Sequence, residues 1–203
     1  MESTQVRRAT RADLDEMTDI LTDGFAENPF FAWMFRTKKQ YARLAPALFR
    51  WMVDQAVEVG DAYIVDGKGT LIGRNSSAIA PEEHWNTVGQ QQVRDICAEC
   101  ADNALTYFNA ARRAPHHPMD TPHWYAEAIA VRSEYRNEAV GIRLLRYNFK
   151  EHGMPVYLDS LSSRSAEMYS LLGFTVIGSL EMSEKIELTS MWREPVLSRD
   201  TRV

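Results

Sequence analysis

The feature that most restricts this chain is the rhythm of its second half. An apolar run at 123–131 leads into a helical pattern at 139–152 and then into "PVYLDSL" at 155–161. A short helical pattern at 163–172, an extended run at 173–182 and a last one at 186–192 follow. Strand–helix–strand–helix–strand at this spacing predicts an α/β domain, with a largely parallel central sheet and helices on both faces. The last two strands pair antiparallel across "SEK".

The first half reads as a layer of helices with one hairpin. "VRRAT" (6–10) predicts a short strand, and "RADLDEMTDILTDGF" a helix with Leu14, Met17, Ile20 and Leu21 on its apolar face. Pro29 ends that helix, and aromatic residues follow it. A second helix spans 38–59, carrying Leu44, Leu48, Trp51, Met52 and Gln55 at helical spacing. "AYIVDGKGTLIG" is a hairpin. Residues 83–111 predict one long helix, on which Cys97 and Cys100 are two half-buried thiols of one face. His116, His117 and His123 fall in a proline-broken loop without carboxylates at metal-ligand spacing, so they are expected to be solvated, with no metal site. No repeat or linker divides the 203 residues, so a single domain over 1–203 is expected.

Charge and hydropathy narrow the function classes. A net charge of −5 argues against nucleic-acid binding, which needs basic surface. The N-terminal segment has no signal-peptide core, and no apolar run approaches a membrane span. A cytoplasmic protein, as a monomer or homodimer with no membrane partner, is expected.

Three places can carry chemistry. The helix at 139–152 points its free N–H groups and positive dipole end at the loop before it, which favours an anion. Gly141 allows close backbone approach there. Ala139 stands where a positive φ is uncomfortable for a side chain, and Glu138 repels an anion unless it points away. Arg143, Arg146 and Lys150 form a basic ridge on the same helix. In "WYAEAIAV", strict alternation puts Tyr125, Glu127, Ile129 and Val131 on one face, so Glu127 requires a cavity, a partner or a raised pKa. It reads either as a general base or as the partner of an arginine. Tyr169, on the helix before Gly173, is either a core aromatic or a hydroxyl offered to the cleft at the sheet's carboxyl edge.

Taken together, "GFAENPFFAWMF", "HWYAEAIAVRSEYR", "PVYLDSL", "MYSLLGFTV" and "MWREP" resemble the GNAT superfamily of N-acetyltransferases. Within it they look like the branch containing puromycin N-acetyltransferase and its fungal and actinobacterial relatives. The resemblance implies a single-domain GNAT-like fold with a mixed sheet splayed between strands 4 and 5. It also implies acetyl-CoA as co-substrate. The family's diphosphate pattern Q/R-x-x-G-x-G/A falls on Arg136, Asn137, Glu138, Ala139, Val140 and Gly141, with Ala139 replacing the first glycine. Ile129, Ala130 and Val131 correspond to the end of strand 4, whose backbone N–H groups polarise the thioester carbonyl. Ser165 stands where the branch often has an asparagine. Tyr169 matches the tyrosine that protonates the departing thiolate, and Glu127 lies on the strand that carries a general-base glutamate in some relatives. Asn28, Phe30, Phe31 and Trp33 are placed to shape the acceptor pocket.

The implied reaction is direct transfer of an acetyl group to a small-molecule amine, a natural product among the candidates, or less readily to a hydroxyl. Two alternatives stand beside it. One is a GNAT fold repurposed for non-acylating chemistry or binding, motivated by Ala139, Glu138 and Ser165. The other is a protein acetyltransferase.

Overall fold

The computed structural model describes residues 5–195. Its centre is a seven-stranded mixed sheet of β1 (Arg7–Arg8), β2 (Ala62–Val65), β3 (Gly69–Asn75), β4 (Trp124–Val131), β5 (Val156–Ser160), β6 (Thr175–Ser183) and β7 (Ile186–Arg193). The strand order is β1-β2-β3-β4-β5-β7-β6. Only β4 and β5 are parallel; every other neighbour is antiparallel. The largely parallel sheet read from the rhythm is therefore corrected to a mixed one. The cause is that β7 folds back between β5 and β6, a non-local choice that periodicity does not encode.

One face of the sheet is covered by α1 (Leu14–Phe25), α2 (Pro29–Phe35), α3 (Lys38–Glu58), α4 (Glu82–His84), α5 (Gln90–Cys97) and α6 (Ala101–Arg113). The predicted stripe of α1 is buried as expected: Met17, Ile20 and Leu21 are fully enclosed and Leu14 nearly so. Pro29 does not simply end a helix. It opens α2 at the first helical position, where its missing N–H costs nothing, and Asn28 caps that helix by accepting from the Phe30 N–H at 2.9 Å.

The long helix expected over 83–111 is several pieces. A π-helical turn (Trp85–Gly89) joins α4 to α5, and Ala98 breaks the run at φ 46°, ψ −120°. Cys97 ends α5 and Cys100 precedes α6, so the thiols do not share one helix face, and both are fully buried. Burial pushes the Cys97 thiol up to about 12.

The other face carries α7 (Val140–His152) and α8 (Ser163–Leu171) over a second core of Tyr63, Leu71, Trp124, Leu144, Leu145, Tyr169 and Phe174. No helix among the described residues is long and apolar enough to cross a membrane.

Two irregularities create the site. In the β3–β4 ladder, Ile72 pairs with Ala128 and the adjacent Gly73 pairs with Ala126, which leaves Glu127 as an extra residue. This β-bulge reverses the in–out parity of the strand. Trp124 and Ala126 belong to the α7 core before it, and Ile129 and Val131 pack there after it, while Ala130 sits in the opposite core. The uninterrupted alternation expected for 124–131 is thus corrected by one inserted residue. Gly73 is a steric requirement of the bulge: a Cβ there would fall 2.2 Å from the Tyr125 carbonyl oxygen and 2.4 Å from the Trp124 ring.

The second irregularity is the splay. β4 and β5 pair only over Trp124–Ala126 with Val156–Leu158. Beyond that, β4 stays with β3 as far as Val131, and β5 stays with β7 through Asp159 and Ser160. A wedge opens in the sheet at Glu127 and Asp159.

Candidate active site

At the carboxyl end of β4 the chain passes through a tight turn into α7. The first intrahelical bond of α7 runs from the Arg143 N–H to the Ala139 carbonyl at 3.0 Å. The N–H groups of Val140, Gly141 and Ile142 therefore point out of the helix end with its positive dipole. Ala139 adopts φ 54°, ψ 24°, the left-handed conformation that glycine takes without strain. The positive φ judged uncomfortable from the sequence is adopted all the same, so the turn keeps its shape at a cost of about 1 kcal/mol.

Glu138 is not left to repel an anion. Lys68, reaching across from the β2–β3 turn, donates from Nζ to Glu138 Oε2 at 3.0 Å, and its ammonium also lies 4.5 Å from the centre of the Tyr135 ring. Arg136 donates to the Gly24 carbonyl at 3.2 Å, and the Ser133 N–H to Asp23 at 2.7 Å, which tie the cradle to α1. On the first turn of α7, Arg143 keeps Nε and Nη2 buried with no hydrogen-bond partner among the described residues. Outward N–H groups, a neutralised carboxylate and a guanidinium short of acceptors suit a ligand that carries phosphate.

Ser165 lies within the capped start of α8, its Oγ 2.7 Å from Ser160 Oγ and 2.8 Å from Ser162 Oγ. Tyr169 is buried beneath α8 with its ring 5.7 Å from Phe174. Burial raises its pKa, so the phenol stays protonated at neutral pH.

A cavity of about 390 Å³ lies on the opposite face of the sheet from α7 and α8. Glu127 and Tyr125 of β4 and Arg74 of β3 contribute to it, with aromatic walls from Trp51, Trp85, Tyr107 and Phe108. Glu127 is paired with Arg74: Arg74 Nη2 donates to Oε2 at 2.9 Å and Nε lies 2.6 Å from Oε1. Both side chains are largely enclosed, at 18% and 14% exposure. Of the readings open to Glu127, the structure supplies both the cavity and the arginine.

The pocket residues expected in the 28–33 segment are elsewhere. Asn28 is spent on the α2 cap, and Phe30 and Phe31 are buried in an aromatic cluster with Phe35, Phe49 and Tyr107. Trp33 packs on Phe30 at 5.7 Å. None of the four lines the cavity: Asn28 is held at the α2 cap, and α2 turns Phe30, Phe31 and Trp33 towards the core.

The histidines are also corrected. His117 and His123 are buried, not solvated. His123 Nδ1 donates to the Thr121 carbonyl at 2.7 Å, so its Nε2 accepts from His117 Nε2 at 2.9 Å. His117 stacks on Tyr157 at 3.9 Å between ring centres and lines the cavity, and burial lowers its pKa to about 4.

Sequence reasoning missed Arg74, Asp159 and the tyrosines of the wedge. Asp159 in "VYLDSL" carried the same signal as Glu127, a carboxylate inside a buried strand. Arg74 depended on a cross-strand register that only the bulge sets.

No family model matches the chain. Solved structures do. The chain is similar to a structure from Corynebacterium glutamicum ATCC 13032 described as histone acetyltransferase HPA2 and related acetyltransferase, at 25% identity and TM-score 0.69, over 98% of this chain and 99% of that one. It shares its fold with arylalkylamine N-acetyltransferase 2 from Aedes aegypti, at 13% identity and TM-score 0.69, over 94% and 98% of the two chains. The same holds for a polyamine N-acetyltransferase of Drosophila melanogaster, which forms N-acetylagmatine, at 15% identity and TM-score 0.63, over 94% and 99%. The 25%-identical likeness supports the GNAT superfamily and the other two show its fold; none of them carries the narrower branch that contains puromycin N-acetyltransferase.

Proposed function

The chain has the fold of the GNAT acetyltransferases, and from that premise we propose that it transfers the acetyl group of acetyl-CoA to the amine of a small aromatic acceptor. The observation that carries this reading is the position of the cavity. It meets the sheet at the bulged residue Glu127, where β4 and β5 part, on the strand that runs on into the phosphate-type cradle.

The cradle residues Val140, Gly141 and Ile142 would hold the coenzyme diphosphate through their N–H groups, with Arg143 as the nearby cation. When bound, acetyl-CoA supplies an activated acyl group. Past Ala126 the side of β4 that faces β5 is unpaired, so backbone N–H groups among Glu127–Val131 are available to a carbonyl oxygen in the wedge. Glu127 is held against Arg74, so we assign it to positioning the acceptor's amine at the cavity floor. Tyr169 comes from the opposite face, and its burial keeps the proton that a leaving thiolate needs.

Cavity chemistry argues the acceptor class. Trp51, Trp85, Tyr107, Phe108 and Tyr125 offer aromatic surface, while Arg74 and Arg112 balance Glu82 and Glu127. A polyamine would meet no surplus of carboxylates there. A single amine on an aromatic body fits. The repurposed-fold alternative rests on Ala139, Glu138 and Ser165; the first two have their accommodation in the left-handed turn and in Lys68, and Ser165 is engaged by the Ser160 and Ser162 hydroxyls.

The test is an acceptor screen with acetyl-CoA, following thiol release, using phenethylamine and tryptamine against spermidine and agmatine. Faster turnover with the aromatic amines supports the proposal. Turnover with the polyamines alone, or with no amine, contradicts it.

A further inference from the structure

Glu127 is engaged by a cation, but a second carboxylate at the wedge is not. Asp159 lies on β5 beside the point where the strands part, and its three bonded partners are hydroxyls. Tyr157 donates to Oδ1 at 2.9 Å, Ser190 donates to Oδ1 at 2.6 Å, and Tyr125 donates to Oδ2 at 3.3 Å. Tyr125 also lines the acceptor cavity. On the far side, His116 Nε2 lies 2.8 Å from Ser190 Oγ. The side chains form one connected line from the cavity floor to His116, a half-buried residue.

That line is built. The ring of His116 lies flat against Gly178 of β6, where a Cβ would fall 2.4 Å from its Cγ; only glycine lets the imidazole reach Ser190. Ser190 is set opposite Asp159 by the β5–β7 register.

We propose that Asp159, acting through the Tyr125 hydroxyl, takes the proton of the acceptor's ammonium and returns it to solvent through Ser190 and His116. This rests on the acetyltransferase reading. The overall exchange forms an amide N–C bond, breaks the thioester C–S bond, leaves a thiol and releases one net proton, which the ammonium brought in. Tyr125 accepts that proton as it passes its own to Asp159. Rotation of the Ser190 hydroxyl then hands it to His116.

Burial raises the pKa of Asp159, against the lowering effect of its hydroxyl donors and of His116. A raised carboxyl is a better base than one locked to arginine. The groups facing it are Tyr107 from α6, Tyr125 from β4, Tyr157 on its own strand, Ser190 from β7 and His116 from the loop after α6. Asp159 is a positioning and relay residue: Tyr125 is the group that reaches the acceptor.

The experiment compares wild type, Asp159→Asn, Tyr125→Phe and His116→Gln with acetyl-CoA and phenethylamine from pH 6 to 10. Asp159→Asn is expected to lower kcat at pH 7 by about 100-fold, the ordinary scale of a lost general base, with acetyl-CoA affinity unchanged. The deficit shrinks towards pH 10, where a substantial fraction of an amine of ordinary pKa is free base; a merely structural defect would persist. As a readout independent of turnover, carboxyl-labelled aspartate NMR is expected to show an Asp159 resonance titrating above the usual aspartate range, with a midpoint that moves in His116→Gln. A pH profile unaltered in both Asp159→Asn and Tyr125→Phe, with active wild type, overturns the relay alone. Wild type that acetylates no amine overturns the acetyltransferase reading and the relay with it.

Discussion

Lys68 and Glu138 form an ion pair at 3.0 Å that joins the β2–β3 turn to the cradle before α7. Lys68 is enclosed, at 7% side-chain exposure, while Glu138 is half exposed at 49%. The lysine therefore supplies a fixed positive charge beside a loop that faces an anion, and the carboxylate is neutralised where it stands.

Lys68→Met leaves Glu138 uncompensated beside the diphosphate site. Acetyl-CoA affinity should fall by about tenfold, on the scale of one lost charge-assisted contact. Adding Glu138→Gln should restore most of it. Calorimetric titration of the two single variants and the double variant checks this; equal losses in Lys68→Met and in the double variant would show that the uncompensated Glu138 charge is not what weakens binding. Glu138→Lys should strengthen binding, since it turns a neutral pair into two cations.

Ala139→Gly should stabilise the fold by up to about 1 kcal/mol, because relief of a left-handed alanine outweighs the entropy glycine adds to the unfolded chain. Acetyl-CoA affinity should not fall. Urea unfolding and the same titration measure both, and a destabilised Ala139→Gly would contradict the strain assigned to this turn.

The second-half elements were legible in the sequence because each holds one clean period between turn signals. β4, α7, β5 and α8 all lie within two residues of their expected bounds. What the sequence hid was non-local or one residue in size. The place of β7 between β5 and β6 depends on pairing partners, not on its own pattern. The bulge at Glu127 leaves no mark in "WYAEAIAV", yet it reverses the strand's parity and brings Arg74 to Glu127. Phe30 and Phe31 looked like pocket aromatics because burial and pocket lining share one composition. Burial of His117 and His123 required a stacking partner, Tyr157, more than thirty positions away.

Glu127→Ala removes the counter-charge of a largely enclosed guanidinium and should destabilise the protein by about 3 kcal/mol. The joint variant Arg74→Met, Glu127→Leu should recover much of that loss, since no charge is then left unpaired. Thermal or urea unfolding of the three proteins decides it, and a single variant as stable as wild type would show the pair to be solvent-screened. Activity losses in Glu127 variants have to be read beside these values.

Two buried histidines and one partly buried histidine set a pH dependence. His117, His123 and His152 all have folded pKa values below 6.5, with burial as the leading cause. Below pH 6.5 the unfolded chain binds more protons than the folded one, so stability should fall as pH drops from 6.5 towards 4. Above pH 7 these groups are neutral in both states and contribute no slope. Unfolding midpoints at pH 7, 6 and 5 test the direction, and His117→Gln should flatten the curve. A midpoint that rises on acidification would contradict the assignment.

The most direct test of the central claim is isothermal titration of acetyl-CoA into the purified protein, with coenzyme A as the control. The cradle geometry at Ala139–Ile142, neutralised by Lys68, predicts saturable one-site binding in the micromolar range. No heat of binding at millimolar acetyl-CoA would contradict it and remove the acetyl donor from the account.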